Sequence, residues 1–192
     1  MSTTYIHRRQ PDAGKQARRQ AGFTLIELLI TMAIGTTLML VAVPGFLDFQ
    51  RNSRLSDAVS SFLSAANTAR SNSMKQGFNS YLIPLNGGTN WSIGWMVYTD
   101  KNWSQTYDTG DEVVLRHDAL DPDINISTTA GTSLASGYLL FNGSGYPRMK
   151  NGSGTVNQTM VIKSIQTLRA SSIIVDVPGR VRSCRTYPTN SC

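Results

Sequence analysis

The sequence predicts an α+β protein, with a long N-terminal α-helix packed on a C-terminal antiparallel β-sheet head. Three observations predict it. Residues 28–47 form an uncharged apolar run long enough to cross a membrane. Apolar residues at helical spacing then continue along a polar stretch to about residue 76. Beyond Gly77 the sequence changes to short β-rich runs. We therefore expect one helix with a transmembrane half and an amphipathic half, followed by the β head.

The apolar run favours a transmembrane segment over residues 23–49. Twenty residues, at a rise of about 1.5 Å each, span roughly 30 Å, the thickness of a bilayer's hydrocarbon core. A buried core helix is the alternative, but the rest of the 192-residue chain is too small to surround it. Residues 1–22 carry five basic side chains against Asp12. That charge favours a cytoplasmic N-terminus and a head outside the cytoplasm.

The N-terminal segment differs from a secretory signal peptide. Such signals place a small-residue cleavage site after the apolar region, whereas Ala21-Gly22 precedes it here. Cleavage after Gly22 would remove residues 1–22 as a leader and leave a free amine on Phe23. Glu27 lies one helical turn further along, and an unpaired acid in a bilayer costs on the order of 3 kcal/mol. That amine, on the same helix or on a neighbouring one, is the expected partner of Glu27.

Residues 22–30, GFTLIELLI, closely resemble the type III signal of type IV prepilins and type II secretion pseudopilins. The resemblance implies that a prepilin peptidase cleaves between Gly22 and Phe23 and that Phe23 is N-methylated. It also implies that Glu27 pairs with the N-terminal amine of a neighbouring subunit during assembly. The implied fold is type IV pilin-like.

A second helical pattern, over residues 50–78, continues the first. Its apolar residues recur at spacings of four and three among polar ones, which predicts one buried stripe. Lys75 followed by Gly77 fits the end of a helix. Pro44 removes a backbone donor and predicts a kink; a static bend and, from the family resemblance, local unwinding in a filament both remain open. The stripe comprises Leu55, Val59, Phe62, Ala66 and Ala69.

Eight short runs predict the strands of the β-rich head, residues 79–192. They are rich in β-branched and aromatic residues, and turn residues separate them. No internal repeat or long linker divides the head. The runs are NSYLIPL (79–85), WSIGWMVYT (91–99), EVVLRH (112–117), INIS (124–127), YLLFN (138–142), TMVIKSI (159–165), SIIVDV (172–177) and RVRSC (180–184).

The segment 90–120 resembles the head of the GspH/FimT group of minor pilins and pseudopilins. In that group a W-x-x-G-W strand leads through an acidic loop to an E-x-x-L-R strand. FNGSGYPR (141–148) and VPGRVRSCR (177–185) resemble later strands of the same group. The resemblance implies a structural subunit. The matching residues in segment 90–120 are Trp91, Gly94, Trp95, Glu112, Leu115 and Arg116.

The sequence offers little for catalysis. His117 is the only histidine beyond the leader, and no nucleophile motif, phosphate loop or His/Cys metal cluster occurs. We expect no enzyme, no cofactor and no metal ion. A calcium site in an acidic loop is one alternative, because the loop supplies oxygen ligands, although the spacing fits no EF-hand. The candidate ligands are Asp100, Asn102, Asp108, Asp111 and Glu112.

Cys184 and Cys192 are the only cysteines, and we expect them to form a disulfide. An exported domain meets an oxidising environment. Closing so short a loop would stabilise the head by roughly 2–3 kcal/mol in the chain-entropy model. It would also tether the C-terminal tail.

The C-terminal segment GRVRSCR, residues 179–185, is strongly basic. In a strand Arg180 and Arg182 share one face, and we expect Arg185 and Lys163 to extend the patch. Such cations bind the phosphates of double-stranded DNA independently of its sequence. FimT-like minor pilins of natural transformation carry a DNA-binding G-R-x-R motif near the C-terminus, which Gly179, Arg180 and Arg182 match. The alternatives are an edge strand kept soluble by arginine, and a face that docks another minor pilin.

These observations predict a minor pilin of a type IV pilus that primes or caps the filament. Such pili support twitching, adhesion and, through the arginine patch, DNA uptake. The alternative is a GspH-like minor pseudopilin of a type II secretion system, because both systems share the N-terminal chemistry. The expected partners are other pilins or pseudopilins, the prepilin peptidase and DNA. The expected location is the bacterial inner membrane, crossed once with the head in the periplasm, and then the fibre.

Overall fold

The structure is a computed structural model that describes residues 22–192. The chain divides into two compact units, one ending at Ala42 and the other comprising Val43–Cys192. The helix α1, Leu25–Gln76, begins in the first unit and ends in the second. Pro44 lies inside it, and the helix is uninterrupted there, so the kink stays a prediction. The proposed leader, apart from Gly22, lies outside the described residues.

The first part of α1 exposes its apolar side chains. Nearly all of the described residues up to Ala42 are exposed, including Leu25, Leu29 and Leu40. Among residues 22–192, α1 is the one helix long and apolar enough to cross a membrane. Its apolar surface therefore needs lipid or another protein to cover it.

Nine strands follow α1 and form two antiparallel sheets. The first sheet has the order β3-β2-β1-β5-β6, and the second has the order β4-β7-β8-β9. A 3₁₀ turn, Trp91–Ile93, precedes β2. The strands are β1 Asn79–Pro84, β2 Trp95–Asp100, β3 Glu112–His117, β4 Ile124–Thr128, β5 Leu139–Phe141, β6 Pro147–Arg148, β7 Gln158–Ser164, β8 Ala170–Val175 and β9 Val181–Tyr187.

The second part of α1 packs on both sheets in one hydrophobic core. All five residues of the predicted stripe are buried, and Ala58, Ala65 and Ser73 are buried beside them. Phe62 is fully buried, and its ring meets those of Trp91 and Trp95 edge-on at centroid distances of 5.4 and 5.3 Å. The predicted amphipathic helix is thus confirmed.

The head differs from the predicted one in three details. It has two sheets rather than one. The WSI of the second predicted run is a 3₁₀ turn, because the Asn90 side chain accepts a hydrogen bond from the Ser92 N–H at 3.0 Å and starts the turn. The short strand β6 was not predicted. Its two residues, one of them Pro147, are too few to show a period.

Candidate functional site

The N-terminus of α1 is capped by Thr24. The Thr24 hydroxyl accepts a hydrogen bond from the backbone N–H of Glu27 at 3.3 Å. The T-x-x-E spacing is that of a capping box, a local signal that the sequence-based prediction did not use. Gly22 and Phe23 precede the helix and are exposed. The Glu27 side chain is exposed in the first turn, and no ion pair within residues 22–192 neutralises it.

The G-R-x-R segment forms the tight hairpin between β8 and β9. The Gly179 N–H donates to the Asp176 carbonyl at 2.8 Å, and the Asp176 N–H donates to the Arg180 carbonyl at 2.9 Å. Arg180 is exposed at the end of this turn. Arg182 lies two residues further on and forms an ion pair with Asp176, with Nε 3.4 Å from Oδ2. Arg180 therefore has no ion-pair partner within residues 22–192, whereas Asp176 offsets part of the charge of Arg182.

Arg185 and Lys163 do not join Arg180 and Arg182 in one patch. Arg182 lies opposite Ile174, whereas Arg185, three residues later, lies opposite Ser171, so the two side chains leave opposite faces of the sheet. Arg185 lines a small cavity with Asn52 of α1. Lys163 is exposed on β7, two strands away from β9. The arginine hairpin, residues 176–182, is thus smaller than the predicted patch.

The predicted disulfide between Cys184 and Cys192 is present, with the Cα atoms 5.3 Å apart. Ser191 closes the same loop, because its N–H donates to the Arg185 carbonyl at 2.8 Å and its hydroxyl accepts from the Arg185 N–H at 3.0 Å. The C-terminal tail is therefore folded back along β9.

Arg70 of α1 connects the helix to the arginine hairpin. Its Nε donates to the Gly145 carbonyl at 3.0 Å, and its Nη2 donates to the Pro178 carbonyl at 3.1 Å. This residue was not identified from the sequence, since a lone arginine on a helix gives no sign of contacts 75 and 108 residues away. The contact fixes the hairpin to α1.

Replacing Gly179 with alanine should destabilise the head and loosen the hairpin. Gly179 has a φ of +84°, and an added Cβ would lie 2.5 Å from the Gly145 carbonyl oxygen. Gly152→Ala is the matched control, because Gly152 has a φ of +83° but open space around it. We expect Gly152→Ala to lower the free energy of unfolding by about 1 kcal/mol and Gly179→Ala to lower it by clearly more. Equal effects in denaturant titrations would show that the close contact is unimportant.

The acidic loop, residues 100–112, uses its carboxylates for its own hydrogen bonds. Asp100 accepts from the N–H groups of Ser104 and Gln105, both at 3.0 Å. A hydrogen bond from the Asn102 side chain lowers the pKa of Asp108, and the Lys101 ammonium, 2.7 Å away, lowers the pKa of Glu112. Within residues 22–192 no group of three or more acidic, His or Cys side chains is arranged to hold a metal ion.

The architecture of a long N-terminal helix with an apolar first part, packed on an antiparallel β head, is that of type IV pilins and pseudopilins. The crystal structure of the Pseudomonas aeruginosa type IV minor pilin FimU resembles the chain with a TM-score of 0.52 and 16% identity, over 70% of this chain and 90% of FimU. A second crystal form of FimU has a TM-score of 0.52 and 15% identity, over 67% of this chain and 90% of FimU. The minor pseudopilin EpsH from the type 2 secretion system of Vibrio cholerae has a TM-score of 0.47 and 11% identity, over 70% of this chain and 98% of EpsH. No curated protein sequence matches the chain.

The chain belongs to the GspH family. The sequence model described as Type II transport protein GspH matches residues 58–179, which is more than half of the chain. The prokaryotic N-terminal methylation motif matches residues 17–43. The family comprises minor pilins and pseudopilins, which are structural subunits. The predicted family and fold are thus confirmed.

Proposed function

We propose that the protein is a minor pilin of a type IV pilus, made as a prepilin at the bacterial inner membrane. The prepilin peptidase cleaves between Gly22 and Phe23, Phe23 is N-methylated, and the head lies in the periplasm until the subunit joins other pilins. Glu27 is the observation that carries this proposal. It directly precedes the 20-residue uncharged run 28–47, and it lies exposed in the first turn of α1. A neighbouring subunit's amine would neutralise it within the fibre.

The arginine hairpin supports a pilus function in DNA uptake. Arg180 is exposed at the turn, and Arg182 lies two residues further on in β9, where Asp176 offsets part of its charge. Arg70 and the hairpin's backbone hydrogen bonds hold the turn in place. Two arginines presented in this way bind phosphates through charge-assisted hydrogen bonds. The hairpin is proposed to bind double-stranded DNA without sequence preference.

DNA binding by the detergent-solubilised protein tests the role of the hairpin. We expect Arg180→Ala plus Arg182→Ala to weaken binding to mixed-sequence duplex DNA at least about tenfold. The slope of log K against log salt should become less negative by about 2, because two phosphate contacts are lost. The matched control, Lys75→Ala plus Arg116→Ala, removes the same charge from exposed cations outside the hairpin. Equal losses in the two double variants would assign the binding to net charge rather than to the hairpin.

The second candidate is a minor pseudopilin of a type II secretion system. The description of the matching family model, Type II transport protein GspH, favours it, and the N-terminal processing chemistry is the same in both systems. A deletion strain scored in parallel for twitching, transformation and protein secretion separates them. We expect twitching and transformation to fail while secretion continues. Failure of secretion alone would establish the pseudopilin instead.

A further inference from the structure

The turn between β7 and β8 exposes two large apolar side chains. Residues 165–169, here named the β7–β8 turn, present Ile165 at 53% and Leu168 at 59% exposure. Lys163 precedes the turn, Arg169 ends it, and both are exposed. Neither cation has an ion-pair partner within residues 22–192. The turn therefore has an apolar tip, with a positively charged residue at each end.

One buried acid accepts hydrogen bonds from the β7–β8 turn and from the residue before it. Asp123 is only 8% exposed. Its Oδ2 accepts from the Ser164 hydroxyl at 2.6 Å, and its Oδ1 accepts from the Gln166 N–H at 3.0 Å. Its backbone carbonyl also accepts from the Ile165 N–H at 2.8 Å. Charge-assisted hydrogen bonds of this kind fix the backbone, so the two apolar side chains are presented by a defined turn.

Leu168 has a backbone conformation that leucine disfavours. Its φ is +57°, in the left-handed region, which costs an L-residue with a Cβ of leucine's size appreciable energy and which glycine and asparagine adopt more readily. Leucine is thus unfavourable here on two counts, backbone conformation and exposure to water. A contact that uses the leucine side chain would explain both.

The β7–β8 turn lies beside the end of the apolar run of α1. Ile165 and Gln166 line a cavity of about 430 Å³ together with Leu47 and Arg51. Leu47 is the last residue of the uncharged run. Arg54, one turn beyond Arg51, forms an ion pair of 2.6 Å with the loop before β4. The turn therefore lies beside Leu47, two residues before the predicted end of the span at residue 49.

We propose that the β7–β8 turn is a membrane contact of the head. Ile165 and Leu168 insert into the periplasmic-side leaflet, and Lys163 and Arg169 lie against lipid phosphates. Continuity with the span favours lipid over protein as the occupant, and the basic flanks complement anionic headgroups. The contact would fix the tilt and rotation of the head before assembly. This inference rests on the membrane anchoring in the proposed function.

Spin labels on the full chain in nanodiscs of anionic and zwitterionic phospholipids test the contact. Because Cys184 and Cys192 form a disulfide, single new cysteines take the label selectively. Leu168→Cys probes the turn, Leu40→Cys probes the span, and Val177→Cys probes the hairpin between β8 and β9, with 50% exposure. We expect labels at positions 40 and 168 to collide more with oxygen than with a water-soluble nickel chelate. The label at position 177 should show the reverse.

Each other result has a definite meaning. A lipid-exposed label at position 40 with a water-exposed label at position 168 would overturn the membrane contact and leave the anchoring intact. A water-exposed label at position 40 would overturn the anchoring itself. A label at position 168 shielded from both reagents would replace the lipid with a protein neighbour.

Leu168→Asn provides a second, independent test. Asparagine tolerates the left-handed conformation, so the thermal midpoint of the head in detergent should be unchanged or higher. A label on Ile165→Cys in the same chain should nevertheless move from lipid to water. Continued lipid exposure at position 165 would show that Leu168 does not make the contact and would overturn the proposal.

Discussion

Replacing Glu27 with leucine should leave the protein in the membrane but remove it from the fibre. A charged carboxylate near the edge of the bilayer costs on the order of 3 kcal/mol when unpaired, so an apolar side chain at this position would make a lone helix in lipid more stable. The charged form gains from assembly because a neighbouring amine pairs with it. We expect the amount of subunit in sheared fibres to fall at least about tenfold, which corresponds to about 1.4 kcal/mol of lost coupling.

Thr31→Leu is the matched control for this experiment. Thr31 lies one turn further along α1, and its hydroxyl already donates to the Leu28 carbonyl at 2.9 Å. Removing that hydroxyl changes polarity within the span without removing a charge. Membrane fractions and sheared fibres should be immunoblotted in parallel. Wild-type amounts of Glu27→Leu in the fibre would contradict the assembly role of Glu27.

Replacing Phe62 with alanine should produce the largest loss of stability in the head. Phe62 is fully buried and meets the rings of Trp91 and Trp95. A large-to-small change at such a position removes apolar burial and leaves a cavity between the helix and the sheets. The expected cost is about 3–5 kcal/mol, against a typical total of about 5–15 kcal/mol. Tryptophan fluorescence during denaturant unfolding measures it.

Phe49→Ala changes the same side chain in a different environment. Phe49 lies on the same helix but is 69% exposed, so its removal opens no cavity in the head. We expect the free energy of unfolding to change by less than about 0.5 kcal/mol. If both variants destabilised the head equally, the core would not depend on the contact between Phe62 and the tryptophans.

Much of the fold follows from periodicity alone. The stripe from Leu55 to Ala69 agrees with the sequence prediction because it follows the helical period over several turns. The strand Glu112–His117 agrees because its β-branched residues form a short run between turn residues. The 3₁₀ turn at Trp91 was not predicted from the sequence, because its apolar residues belong to the same predicted strand as those of β2. The division into two sheets depends on which distant strands pair, as β1 with β5 does, and no local pattern encodes that choice.

The candidate site was predictable only in part. Glu27 and the Gly179 motif stand out because a charge in an apolar run and a basic turn are local signals. Arg182 and Arg185 lie on opposite faces of β9 because they are three residues apart and side chains alternate along a strand. That spacing is visible in the sequence. Arg70 and Asp123 act through contacts far along the chain. Their roles required the tertiary structure.

The contacts of Arg70 have a consequence for how the head can vary. Both of its acceptors are main-chain carbonyls, those of Gly145 and Pro178. The attachment therefore depends on backbone position and not on the neighbouring side chains, such as those of Tyr146 and Arg180, which are exposed. Those side chains are open to substitution while the two turns keep their place. Surface specificity at this end of the head can thus diverge, or be redesigned by grafting, without rebuilding the scaffold beneath it.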